Sequence, residues 1–329
     1  MHNLESWVKE IARENEFKID KEIYRGFYYS TIKIRNIIYE GDYQDKKAIL
    51  KIYDDPRLSD EPVAQAKFNG INNSKILFAP KIYKSELTST KSGWLIMEKL
   101  SGGSFMKSPL ARMERMNFLN LYLEYRKNFP IKPTRTLALA ENLPTHEFHC
   151  FRISRWLQMA NDREAKIVLN GEKPVLEPNK LVAYYGKSIS IIRKEFLKRK
   201  MIWCHGHFKP KEIFLTLDGK YYLTDFAHVK MYPEGYELAF IIWADWLMAA
   251  DWELSYKKWK KGIFEWVGDM EKINKTLKLK NLKALMRASL IERTLGTILA
   301  DVCASDRPRE EKEKRISLLF GLWKELAED

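Results

Sequence analysis

Apolar residues at positions 4, 7, 8, 11 and 12 fall on one face of a helix, so the chain is expected to open with an amphipathic α-helix. The pattern then changes period. Residues 22–29, 31–39 and 48–53 are rich in β-branched and aromatic side chains and are punctuated by Glu40-Gly41-Asp42-Tyr43, which predicts an antiparallel meander. A short helix over 62–71 follows, with Ser59 or Asp60 as its cap and Pro62 in the first turn, where a missing N–H costs nothing. Two more strands are expected near 76–83 and 93–98. Beyond Ser101-Gly102-Gly103-Ser104 the period becomes helical, over about 109–128, 180–200, 236–250 and several segments between 264 and 326. Five prolines between 130 and 178 predict loops and short helices there. The change of texture near Gly102 divides the chain into a β-rich lobe, residues 1–101, and a helical lobe, residues 102–329.

Composition narrows the setting. At 45% hydrophobic the chain can bury a sizeable core, and no internal repeat or low-complexity tract interrupts it. The formal charge of +13 suits an anionic partner, yet the lysines are dispersed along the chain, which favours a solvated surface over a nucleic-acid footprint. Three distant cysteines argue against a disulfide framework and predict reduced, buried thiols. There is no apolar run of membrane-spanning length, and Met1-His2-Asn3-Leu4 does not begin a signal peptide, so a cytoplasmic address is expected.

Chemistry concentrates in His205-Gly206-His207-Phe208-Lys209-Pro210-Lys211-Glu212 and in Leu223-Thr224-Asp225-Phe226-Ala227. Phosphoryl transfer needs a group that orients the attacking hydroxyl, side chains that hold metal on the phosphates and a cation on the transferred group. The order of strand meander, lysine-bearing strand, short helix, hinge and His-Gly loop resembles the aminoglycoside phosphotransferase and choline kinase family, whose loop reads HGDxxxxN. The resemblance implies an α+β, bilobal protein kinase-like fold: an N-terminal antiparallel sheet lobe, a larger helical lobe, and ATP with Mg²⁺ held between them. Carried over residue by residue, it assigns phosphate contact to Lys51, adenine contact to the backbone of Glu98 to Leu100, and metal ligation to Asp225 and Glu212. His207 becomes the base candidate and Lys209 the group that stabilises charge on the phosphoryl oxygens.

The departures from the family pattern are as informative as the matches. His207 stands where the family has its catalytic aspartate, and Glu212 where it has a metal-binding asparagine. A neutral imidazole can accept a proton but cannot give the anionic orientation of a carboxylate. The helix partner of Lys51 aligns with Gln65, with Glu61 one turn earlier as a substitute. The phosphate-covering loop holds only Gly26 among Arg25, Phe27, Tyr28 and Tyr29, and Glu237 replaces an aspartate that braces the loop. Together these changes imply a degenerate, pseudokinase-like protein that holds nucleotide. The alternative is an active, atypical ATP-dependent phosphotransferase acting on a hydroxyl of a small, cationic molecule.

Other signals have plainer readings. His146, Glu147, His149 and Cys150, and Cys204, His205 and His207, each offer zinc ligands, but the spacings match no standard finger. Trp252, Tyr256 and Trp259 read as the buried face of a helix with solvated lysines, and the basic stretch 272–283 as a solvated face. Asp245, between Trp243 and Trp246, is a candidate acid for a cationic substrate.

Overall fold

The opening helix runs over Leu4–Glu14 (α1) and buries Leu4, Val8, Ile11 and Ala12, the i, i+4, i+7, i+8 stripe of its sequence. It is followed by strands Phe17–Phe27 (β1), Ile34–Tyr43 (β2) and Lys46–Asp54 (β3), helix Glu61–Ile71 (α2), and strands Leu77–Phe78 (β4), Ile82–Leu87 (β5) and Ser92–Glu98 (β6). This computed structural model describes residues 4–27, 33–55, 58, 61–89, 91–129 and 145–328. Tyr28, Tyr29 and the expected caps Ser59 and Asp60 lie outside them. Two units emerge from the packing: one takes the residues up to Met106, a segment from Glu124 and Trp203–Lys230, and the other takes the rest.

In the first unit, five strands form an antiparallel sheet in the order β1-β2-β3-β6-β5. The two-residue period of β3 sorts its side chains. Ala48, Leu50 and Ile52 share a core with α1, Trp94 and Ile96, whereas Tyr53 faces the other way and packs with Leu58, Leu95 and Ala227. Lys51, opposite Leu95 in the register, belongs by parity to this second face. Burying Leu4, Val8 and Ile11 contributes roughly 1.5–3 kcal/mol each, enough to fix which face of β3 is covered by α1. A second sheet, in the order β4-β10-β9-β7, uses Gly103–Phe105 (β7), Ile213–Thr216 (β9) and Tyr221–Leu223 (β10). Met201–Cys204 (β8) leads into the His-Gly loop.

The expected strand over 76–83 is split into β4 and β5, with Pro80 in the break, where it cannot donate to a ladder. Of the segment expected to be loops and short helices, residues 130–144 lie outside the described residues, and the described part holds a 25-residue helix, Thr145–Leu169 (α4). It fits inside the proline-free interval from 145 to 173, so the prolines bound this helix rather than break it.

The second unit is mainly helical, with Arg112–Asn128 (α3, whose last turns belong to the first unit), α4, Pro178–Phe196 (α5), Tyr236–Ile242 (α6), Tyr256–Leu277 (α7), Leu282–Gly296 (α8) and Arg309–Glu328 (α9). The short strand Lys230–Pro233 (β11) precedes α6. Trp266, Leu285, Ile291, Leu322 and Trp323 are fully enclosed in its core. A buried polar cluster joins its helices: the Glu292 carboxylate accepts from Tyr236 Oη (2.5 Å), Arg152 Nε (2.9 Å) and Arg293 Nε (3.0 Å), with His149 Nδ1 at 3.1 Å. Burial disfavours the Glu292 charge, but Arg152, Arg293 and His149 outweigh it and hold its carboxyl well below the usual range. After α6 the chain makes a π-helical turn, Trp243–Leu247, in place of the continuous helix expected to residue 250. Trp252 precedes α7 rather than lying on it, and Lys314 sits over its ring at 4.7 Å. No described helix is long and apolar enough to cross a membrane.

Candidate functional site

The candidate site lies within the first unit, and its loop is braced from beneath. Buried Ile202, Trp203 and Cys204 deliver His205, which is fully enclosed. The His205 N–H donates to Tyr125 Oη at 2.6 Å, and its imidazole Nδ1 accepts the His207 N–H at 3.3 Å. Gly206 takes a φ of +80°, a left-handed conformation that a side chain would disfavour. Phe208 stacks on Tyr125 with ring centroids 4.7 Å apart. His205 therefore braces the loop, and burial pushes its imidazole down to about 3. Cys204 lies against the guanidinium of Arg126.

The hairpin of β9 and β10 returns the chain to this loop. The Thr224 N–H donates to the Glu212 carbonyl at 3.0 Å, and the next residue, Asp225, is left-handed with φ +59°. A single 3₁₀ turn, Phe226–His228, follows, with Phe226 fully buried against Phe68 of α2. These constraints place the Asp225 carboxylate among several partners. Its Oδ2 is 3.2 Å from His207 Nδ1 and 3.8 Å from His228 Nε2, and its Oδ1 is 3.9 Å from Lys51 Nζ. The rings of His207 and His228 stack with centroids 3.3 Å apart and planes 19° from parallel.

Lys51 is paired with Glu61, in the first turn of α2, and both side chains are buried. The expected contact with Gln65 does not form. One turn further along α2, Gln65 is buried and donates instead to the Pro80 carbonyl at 2.7 Å, so the glutamate that sequence alignment offered as a substitute is the partner. Burial alone would depress the Lys51 ammonium; Glu61, Asp225 and Glu212 outweigh it and raise its pKa. Gly26, in β1, is required by Asn36 across the sheet, since a Cβ at that position would stand 2.3 Å from Asn36 Oδ1.

Electrostatics separates the two loop carboxylates. Burial opposes ionisation of Asp225, but His228, the hydrogen bond from His207 and Lys51 hold it well below the carboxylate range. Burial and the neighbouring Asp225 push Glu212 up to about 7. Glu212 is engaged by Lys209 Nζ at 3.1 Å and by Thr224 Oγ1 at 3.3 Å. Burial also lowers Lys209. Burial, reinforced by Lys209 and opposed by the bond to Asp225, pushes His207 down to about 3. With Asp225 ionised, the His207 proton is assigned to Nδ1, donating to Oδ2, and the ring is a neutral, weak base near pH 7.

Lys51, His207, Lys209, Glu212 and Asp225 are thus joined in one chain of contacts. Glu98 ends β6 and Leu100 lies two residues beyond it, both outside this chain of contacts; the Glu98 N–H donates to the Lys81 carbonyl at 2.8 Å, and its carboxylate accepts the Lys81 N–H at 3.0 Å. His228 is not among the residues expected from the sequence, where no motif marks it. Asp245 is fully buried in the second unit and accepts from the Leu110 N–H (3.1 Å) and Trp266 Nε1 (2.9 Å).

Neither a protein-family model nor a curated protein sequence matches the chain. Solved structures do. A thermostable mutant of aminoglycoside phosphotransferase APH(4)-Ia, in ternary complex with ADP and hygromycin B, superposes with a TM-score of 0.57 at 11% identity, covering 97% of each chain. Choline kinase LicA from Streptococcus pneumoniae gives a TM-score of 0.56 at 12% identity, covering 98% of this chain and 99% of that one. A Plasmodium vivax ethanolamine kinase gives 0.52 at 17% identity, covering 95% and 84%. With its antiparallel sheet and its mostly helical remainder, the chain has the kinase-like fold of these small-molecule phosphotransferases.

Proposed function

We propose that the chain is a nucleotide-binding protein on the small-molecule phosphotransferase fold, in which the loop that would drive phosphoryl transfer has been redirected. The observation that carries this reading is the contact of His207 Nδ1 with Asp225 Oδ2 at 3.2 Å. In the position of the family's catalytic aspartate, His207 is a weak base whose Nδ1 is committed to Asp225, so it neither orients a hydroxyl as a carboxylate would nor takes its proton readily. Nucleotide phosphates are matched by Lys51, a buried ammonium kept charged by Glu61 and Asp225. The structural neighbour that holds ADP and hygromycin B supports a nucleotide as the ligand.

Magnesium does not fit the side chains as they stand. It favours an octahedron of oxygens, whereas the groups that converge on Asp225 are two imidazoles, and the Glu212 carboxylate is held by Lys209 and Thr224.

A second reading, an active phosphotransferase toward a hydroxyl of a small molecule, is favoured by the intact Lys51–Glu61 pair. One assay separates the two. With ATP, magnesium and a panel of amino alcohols and aminoglycosides, the unmodified chain is expected to turn over no faster than background, and His207→Asp with Glu212→Asn is expected to gain ATP hydrolysis. Turnover by the unmodified chain that disappears in His207→Ala would establish the second reading and overturn the first.

A further inference from the structure

We propose that His207, Asp225 and His228 form a binding site for a divalent transition-metal ion of borderline softness, such as Zn²⁺, in place of a magnesium site. One ligand atom from each of the three lies within 4.8 Å of the other two, a grouping of potential ligands that stands out among the described residues. The inference goes beyond the nucleotide reading and does not rest on it, because these side chains alone supply the ligands.

Distances and chemistry agree. An ion about 2.0–2.1 Å from two ligands in tetrahedral geometry separates those ligands by about 3.4 Å. The separations of His207 Nδ1 and His228 Nε2 from Asp225 Oδ2, 3.2 and 3.8 Å, lie on either side of this value. Two imidazoles and one carboxylate with a further position open is a ligand set that zinc accepts and magnesium does not favour. The scaffold is stiff where it needs to be: His207 follows the His205 brace, and Asp225 is held at a left-handed position between the Thr224 hydrogen bond and the 3₁₀ turn.

The neighbouring cations leave room for a dication. Lys51 approaches the other carboxylate oxygen, Oδ1. Lys209 Nζ is 3.5 Å from His207 Nδ1, but it is turned toward the Glu212 carboxylate at 3.1 Å. Ligation requires the stacked rings to splay about their side-chain torsions, because parallel rings aim their in-plane lone pairs side by side. It also requires the His207 Nδ1 proton to leave to solvent as the metal takes its place. The zinc groupings suggested by the sequence do not assemble: His149 is enclosed against Glu292, and Cys204 faces Arg126.

The test is calorimetric titration of the chelator-treated, dialysed full chain with ZnCl₂, and separately with MgCl₂, without nucleotide. The expected result is saturable one-to-one zinc binding, at least tenfold weaker in His228→Ala and in Asp225→Asn, with no saturable magnesium binding up to millimolar concentration. Absence of zinc binding, or zinc binding unchanged in both variants, overturns the proposal and leaves a metal-free imidazole pair clamping Asp225. Because a variant can fail by misfolding, Co²⁺ is also added to the unmodified chain. Visible ligand-field bands without a thiolate charge-transfer band, lost on adding Zn²⁺, support the site; a thiolate band, or no bands, refutes it.

Discussion

Replacing Glu61 with leucine removes the carboxylate that holds Lys51 but keeps an apolar side chain of similar bulk. In the native chain the Lys51 and Glu61 side chains are only 6% and 1% exposed, so the variant leaves a buried ammonium short of its nearest counter-charge. Breaking such a pair from one side costs about 3–5 kcal/mol. Asp225, with Oδ1 3.9 Å from Lys51 Nζ, remains as a partial partner and places the expected loss at the lower end, about 3 kcal/mol. For a urea dependence of roughly 2 kcal/mol per molar, the midpoint falls by about 1.5 M. Amide exchange of β3 across a urea series reads this unit without relying on the other. Lys51→Met in the Glu61→Leu background removes both charges and is expected to recover most of the loss, giving a coupling energy of about 2–3 kcal/mol. A Glu61→Leu variant within about 0.5 kcal/mol of the native chain, or a double variant no more stable than Glu61→Leu alone, would show that the pair does not stabilise this unit.

Three further outcomes follow from individual contacts. His149, buried and pushed down to about 4 from an ordinary 6.5, is neutral when folded, so the unfolded chain binds more protons in this window. Its contribution to stability is present above pH 6.5 and is lost as pH falls toward 4; His149→Asn should flatten the slope of stability between pH 5 and 6.5 by about 1 kcal/mol per pH unit in denaturation curves, and an unchanged slope would contradict burial of a neutral ring. Tyr125→Phe strands the His205 N–H and should cost about 1–3 kcal/mol by urea denaturation. Gly235→Ala should lower the melting temperature, because φ is +87° and the new Cβ would stand 2.5 Å from Leu285 Cδ2 and 2.8 Å from Leu279 Cδ1. The left-handed conformation alone costs about 1–2 kcal/mol.

Local signals in the sequence carried the sheet and α1, because strand alternation and helical spacing depend on neighbours along the chain. The choice between Glu61 and Gln65 was not legible, since the two lie one turn apart on the same helix and only the position of α2 over β3 decides which reaches the ammonium. His228 was illegible for a related reason. It stands three residues beyond Asp225 in an ordinary-looking run, and only the left-handed Asp225 followed by a 3₁₀ turn brings it onto the ring of His207. The long α4 was hidden by the prolines on either side of it, whose breaking power ends where its own proline-free stretch begins. Weak basicity at His207 was equally out of reach, being a product of burial and of Lys209 that no residue pattern encodes.

Calorimetric titration of the native chain and of Lys51→Met with ATP decides whether this site holds a nucleotide through Lys51. Saturable binding to the native chain, weakened at least about tenfold in Lys51→Met by loss of a charge-assisted phosphate contact, is the predicted result. No saturable heat at millimolar ATP, or equal affinity in the two proteins, would contradict it.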